Sequence, residues 1–268
     1  MDNYFNYQEK KIYYRVKGKG QSIVLLHGFL ESQNIWNHYS EQLSKTHRVI
    51  TIDLPGHGKS DNISSVHTME QMAMIVKELL DRLQIKKTVI IGHSMGGYVS
   101  LAFAEMYPQL TKGFGVFHSH ALADSTEAKI NRGRAIQVVK NSHKDFISSF
   151  IPELFTLKNQ EIYANEIKEL QAESRLMQKQ GIIAALNGMR QRTDKLKLLK
   201  NTDVPVLFII GKKDSRTPID VMNIQINIPK HSEVLILDQV AHMGFIEAKK
   251  TCLSFINSFI IRCFEADT

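Results

Sequence analysis

Gly92-His93-Ser94-Met95-Gly96-Gly97 lies between a short apolar run, residues 88–91, and a helix-forming stretch, residues 95–106. A Ser with Gly two residues away on each side, at the junction of strand and helix, marks a sharp turn that exposes a hydroxyl. The glycines let neighbouring backbone pass where a Cβ would collide. The helix that begins behind the Ser offers unpaired N–H groups and the positive end of its dipole to a developing anion. Ser94 is thus a candidate nucleophile on a strand-turn-helix unit, and such units build mainly parallel sheets.

The chain on either side repeats this alternation. Residues 12–16, 22–26, 48–53, 113–117, 206–210 and 234–237 read as further strands, several of them continuous Val- and Ile-rich runs suited to burial on both faces. Helical patterns cover residues 69–83, 95–106 and 246–264. Between residues 119 and 199 the strand signal vanishes, and helical patterns occupy 125–140, 144–155, 161–177 and 182–190. The expected organisation is one α/β core made of residues 1–118 and 200–268, interrupted by an all-helical insertion at 119–199.

A nucleophilic Ser needs a base, and the base needs an orienting acid. Asp214 follows the strand at 206–210, and His242 follows the strand at 234–237, an acid-then-His order that places both beyond late strands. Asp238, four residues before His242, is the alternative acid. An oxyanion site requires two backbone donors. Met95, directly after the nucleophile, supplies one, and Phe29 in the loop His27-Gly28-Phe29-Leu30 supplies the other, with His27 bracing that loop.

Together, His27-Gly28-Phe29, the segment Asp53-Leu54-Pro55-Gly56-His57-Gly58-Lys59-Ser60, the Ser94 motif, Gly211 to Asp214, and His242 resemble the α/β-hydrolase superfamily over nearly the whole chain outside the insertion. The resemblance implies an α/β-hydrolase fold, with a mostly parallel central sheet flanked by helices. It implies that the insertion is a cap roofing the active site and that Asp53, His57 and Ser60 are architectural. The expected activity is that of a serine hydrolase cleaving small to medium carboxylic esters or thioesters through an acyl-enzyme on Ser94. A carbon–carbon bond hydrolase, perhydrolase or acyltransferase could use the same residues, and a ligand-binding protein of the same fold is an alternative of another class. An Asp nucleophile, as in dehalogenases and epoxide hydrolases, is disfavoured by Ser94.

Substrate-pocket candidates are His118 and His120, where the fifth strand meets the insertion, together with Phe150 and Met177 within it. His118 and His120 lack the carboxylate or thiolate company of a metal site, so neither metal nor cofactor is expected. Lys129, Arg132 and Arg134 would tilt the pocket toward acidic acyl groups. The net charge of +7 comes from scattered basic residues rather than a block, which argues against nucleic acid as partner. No apolar run approaches the ~20 residues of a membrane span. The stretch from Met1 to Tyr7 lacks the form of a signal peptide, so a cytoplasmic location is expected. Cys252 and Cys263, roughly 16 Å apart if both lie on one helix, should be unpaired, half-buried thiols.

Overall fold

A computed structural model describes residues 3–265; Met1 and Asp2, part of the segment read as lacking a leader, and the last three residues of the expected core lie outside it. Its strands are β1 (Asn3–Tyr7), β2 (Lys10–Lys17), β3 (Ser22–Leu26), β4 (Arg48–Ile52), β5 (Thr88–His93), β6 (Thr111–Phe117), β7 (Val206–Gly211) and β8 (Ser232–Leu237). They form one sheet in the order β1-β2-β4-β3-β5-β6-β7-β8. The pairs β1/β2 and β2/β4 are antiparallel, and every later pair is parallel. The strand β1 was not expected. It is a five-residue edge strand in which only Phe5 is buried, too short and too exposed to show a buried face in its sequence. It forms because Gln8 and Glu9 turn the chain through positive φ into a hairpin with β2.

The helices are α1 (Asn37–Leu43), α2 (Met69–Arg82), α3 (Met95–Met106), α4 (Thr126–Phe150), α5 (Leu157–Ile162), α6 (Ala164–Ser174), α7 (Lys179–Gln191), α8 (Leu196–Asn201), α9 (Ile219–Gln225), α10 (Gly244–Glu247) and α11 (Lys249–Glu265). Helix α2 shows how local sequence sets an element. Thr68 caps its start by accepting from the Gln71 amide, and its apolar stripe from Met69 to Leu80 is buried. Helix α3 is buried from Met95 to Ala104 because it lies between the sheet and α2. The two helical patterns at 125–140 and 144–155 merge into α4, kinked at Ser142, where the backbone leaves helical angles. The pattern expected at 161–177 is divided between α5 and α6, and the one at 246–264 between α10 and α11. Helices α1 and α9, each seven residues, were too short to register as periodic.

Everything between β6 and β7 is helical or irregular. This segment docks closely on the loops at the carboxyl ends of the strands. Gly181 of α7 meets the Gly56 backbone so tightly that a Cβ on Gly181 would lie 2.5 Å from the Gly56 carbonyl oxygen. The Ser174 hydroxyl donates to the Leu30 carbonyl at 2.5 Å. The Leu154 carbonyl accepts from the His242 amide at 2.9 Å. Cys252 and Cys263 are free and fully buried rather than half-buried, and burial pushes both thiols up to about 12. Among the described residues no helix is long and apolar enough to cross a membrane.

Candidate active site

Parallel strands bring their carboxyl ends to one edge of the sheet, and loops there can converge although they are far apart in sequence. Ser94 leaves central β5, Asp214 follows β7 and His242 follows β8. Ser94 sits at φ 49 and ψ −115, a conformation costly for a residue with a Cβ, by about 1–3 kcal/mol. The turn holds because its neighbours leave no room for another path. A Cβ on Gly92 would lie 2.0 Å from the Gly96 carbonyl, and one on Gly96 would lie 2.5 Å from the Leu26 carbonyl oxygen.

The Ser94 hydroxyl lies 2.9 Å from His242 Nε2, and His242 Nδ1 lies 2.8 Å from Asp214 Oδ2. With Asp214 ionised, Nδ1–H donates to the carboxylate, and the Nε2 lone pair faces Ser94. Asp214 also accepts from the amides of Arg216 (2.8 Å) and Thr217 (3.1 Å) and from the Thr217 hydroxyl (2.5 Å). Burial opposes its charge, yet the adjacent His242 imidazole holds it well below the usual carboxylate range. Asp238, the alternative acid, does not approach His242. Its side chain is 70% exposed and pairs with Lys212.

The His242 loop is held from several sides. Glu247 accepts from the amides of Ala241 (3.2 Å) and Met243 (3.0 Å) on either side of it. His93 Nε2 reaches the His242 carbonyl at 2.8 Å. Neither Glu247 nor His93 was singled out from the sequence. His93 stood in plain view beside Ser94, but no spacing rule connects it to residue 242.

On the other side of Ser94, a Cβ on Gly28 would lie 3.0 Å from Ser94 Cβ, which places the Phe29 amide at the same turn. The Gly28 amide is occupied by Glu31 Oε2 at 2.5 Å. The Phe29 and Met95 amides have no acceptor among the described residues, and Met95 N–H opens α3. His27 links two loops: its Nδ1–H donates to the Gly28 carbonyl at 2.8 Å, and its Nε2 accepts from the Leu54 amide at 2.9 Å. Asp53 accepts from Gln33 and from the Lys59 amide, while Ser60 donates to the Asp53 carbonyl, so this segment is cross-braced around its own turn.

The pocket candidates scatter. His118 is fully buried behind Asp214, with Nδ1 3.2 Å from Oδ2 but off the line of a hydrogen bond, and its Nε2 accepts from the Gly244 amide. His120 turns away toward the Tyr98 hydroxyl and Arg192, beside a water-sized cavity of about 10 Å³. Met177 lines a separate cavity of about 150 Å³ with residues of the Gly56–Asn62 turn. Phe150 alone of these meets the Phe29 ring, edge-on at 5.8 Å, with Arg216 over its own face. Arg132, expected to attract acidic groups, pairs with Asp124, which also pairs with Arg192, and Arg134 bonds Asn131 at the surface. His118, Asp214 and His242 bring one potential metal-ligand atom each within 4.8 Å of one another, but those of Asp214 and His242 are engaged with each other.

The buried imidazoles make stability sensitive to acid. Burial pushes His27, His118 and His120 down from 6.5 to about 4, and His57 and His67 to about 3. Below pH 6.5 the unfolded chain binds protons that the folded chain refuses, so stability is full above 6.5 and falls with pH. His93, shifted the other way, contributes a slope of opposite sign where the unfolded ring titrates, near pH 6.5 and above. Urea midpoints measured from pH 7.5 to 4.5 should fall as the neutral rings, with His47 shifted the same way, take up protons on unfolding. A flat profile would contradict the burial of neutral rings.

Residues 21–249 match the sequence profile of the alpha/beta hydrolase fold. The chain is 31% identical over 231 residues to the dihydrolipoyllysine-residue acetyltransferase component of the acetoin cleaving system of Pseudomonas putida, covering 85% of this chain but spanning only 60% of the length of that relative. It is 26% identical to the pimeloyl-[acyl-carrier protein] methyl ester esterase of Aliivibrio fischeri, over 93% of this chain and 97% of that one. A malate-bound thermophilic esterase from Thermogutta terrifontis superposes with a TM-score of 0.92 at 28% identity, covering 98% of this chain and 99% of the other.

Proposed function

Because this chain belongs to the alpha/beta hydrolase fold family, we propose that it is a serine hydrolase acting on carboxylic esters or thioesters of small to medium acyl groups. The observation that carries the reading is the hydrogen-bonded line Ser94–His242–Asp214 at a strained turn. The esterases among its relatives and structural neighbours agree with it.

Ser94 Oγ attacks the carbonyl carbon while its proton passes to His242 Nε2. The oxyanion forms against the Phe29 and Met95 amides, donors of a kind that contribute about 10²–10³ each in rate. Collapse expels the alcohol or thiol, which takes the proton from His242. Water then attacks the acyl-enzyme with His242 as base, and the acid departs, leaving Ser94 free. Asp214 keeps its charge throughout and sets the imidazole tautomer. A panel of p-nitrophenyl esters of graded acyl length tests this reading: turnover that peaks at short or medium chains supports it, and the absence of turnover on every ester overturns it.

Residues 119–199 are read as a cap that supplies walls and selectivity rather than chemistry. Phe150 touches the Phe29 ring, whereas Met177 lines a cavity with residues of the Gly56–Asn62 turn. Phe150→Ala should therefore shift the rate ratio between short and long acyl esters by about 10- to 200-fold. Met177→Ala should leave that ratio unchanged and lower only stability. Equal losses on all esters in Phe150→Ala would remove Phe150 from the pocket.

A further inference from the structure

Glu31 and His93 are both buried, at 5% and 0% exposure, and they touch each other. Glu31 Oε2 lies 3.0 Å from His93 Nδ1 and 2.5 Å from the Gly28 amide. His93 Nε2 lies 2.8 Å from the His242 carbonyl oxygen, which can only accept, so Nε2 carries a proton. One further proton must then sit between Nδ1 and the Glu31 carboxylate. The surroundings favour placing it on the ring. Glu31 already receives an amide N–H that stabilises its charged form, and Asp214 adds negative potential nearby. The other neighbours are the aromatic faces of Phe117 and Phe245 and the rings of His27, His118 and His242, with His27 and His118 held neutral by burial. Without its carboxylate, a charge there would be very costly.

We propose that Glu31 and His93 form a buried ion pair that acts as a positioning unit, fixing the Gly28–Phe29 loop and the His242 loop against Ser94. The unit joins three segments that nothing local connects. Glu31 fixes the Gly28 amide, which leaves the neighbouring Phe29 amide pointed at the turn. His93 ends β5 and leads directly into Ser94, and its Nε2–H anchors the backbone of the base. The proposal rests on the reading of Ser94, His242 and the Phe29 amide as the reacting groups. It adds that the distances among them are set by a charged pair and not by packing alone.

The test uses the full chain labelled with ¹⁵N-histidine, with His93 assigned by its loss in His93→Gln. In the wild type both ring nitrogens of His93 should stay protonated from pH 6 to 9. In Glu31→Gln one of them should lack its proton throughout that range. Kinetically, Glu31→Gln should lower kcat by about 10²-fold, the cost of a misplacement near 1 Å, with KM changed less than about threefold. The rate is taken per active site titrated with a fluorophosphonate, so that a smaller folded fraction does not register. Wild-type His93 with a bare ring nitrogen at neutral pH overturns the ion pair, whether or not the variant folds. A fully active Glu31→Gln overturns the positioning role. A wild type that shows the doubly protonated ring yet turns over no ester overturns the hydrolase reading and the positioning role with it, while the pair itself stands.

Discussion

Ser94→Ala is expected to reduce ester turnover by about 10⁴- to 10⁶-fold, the range seen when a member of a nucleophile-base-acid set is deleted. The change removes one hydroxyl whose partner is His242 Nε2. It leaves the Gly92, Gly96 and Gly97 contacts that shape the turn, and alanine bears the same strain at φ 49 as serine does. Thermal unfolding should therefore shift little, and residual activity should come from the Phe29 and Met95 donors with bound water as nucleophile. A fluorophosphonate probe should label the wild type at Ser94 and leave the variant unlabelled. Labelling that persists in Ser94→Ala would assign the nucleophile elsewhere.

Asp214→Asn is expected to cost about 10⁴ in kcat, by the tautomer argument established for a serine protease. The amide can still accept from the Arg216 and Thr217 backbone N–H groups through its oxygen, so the loop should keep its shape. The group facing His242 Nδ1 then becomes an NH₂ donor. That turns the imidazole to the tautomer with a proton on Nε2, and this nitrogen can no longer accept from Ser94. The loss should appear in kcat with KM nearly unchanged. Asp238→Asn should leave kcat where it was, since its carboxylate pairs with exposed Lys212. The reverse result, a dead Asp238→Asn beside an active Asp214→Asn, would exchange the roles of the two acids.

Much of the architecture is legible in the sequence. Strands β3, β5 and β7 are buried at every position, and a strand buried on both faces writes itself as an unbroken apolar run. The Ser94 turn was readable because its glycines satisfy a local steric demand. The order of Asp214 and His242 was readable because each follows a strand that local composition identifies. The hairpin strand β1 was not, since an edge strand with one buried side chain leaves no periodic trace.

Local pattern by itself determined the mainly parallel sheet and the interruption of that sheet by helices, and it singled out Ser94 and His242 as candidates with Asp214 ahead of Asp238 as the acid. The tertiary structure puts the Asp214 carboxylate, already preferred by its place after a strand, against His242 and leaves Asp238 in solvent. It sent His118 behind the acid, His120 toward Arg192, and Met177 to another cavity. It also joined Glu31 to His93, 62 residues apart, and Leu154 of the helical segment to the amide of His242. The reason is one of range. Periodicity and turn chemistry report what a residue does with neighbours a few positions away, whereas the partner of a buried charge is fixed by which loops the assembled sheet brings to one edge.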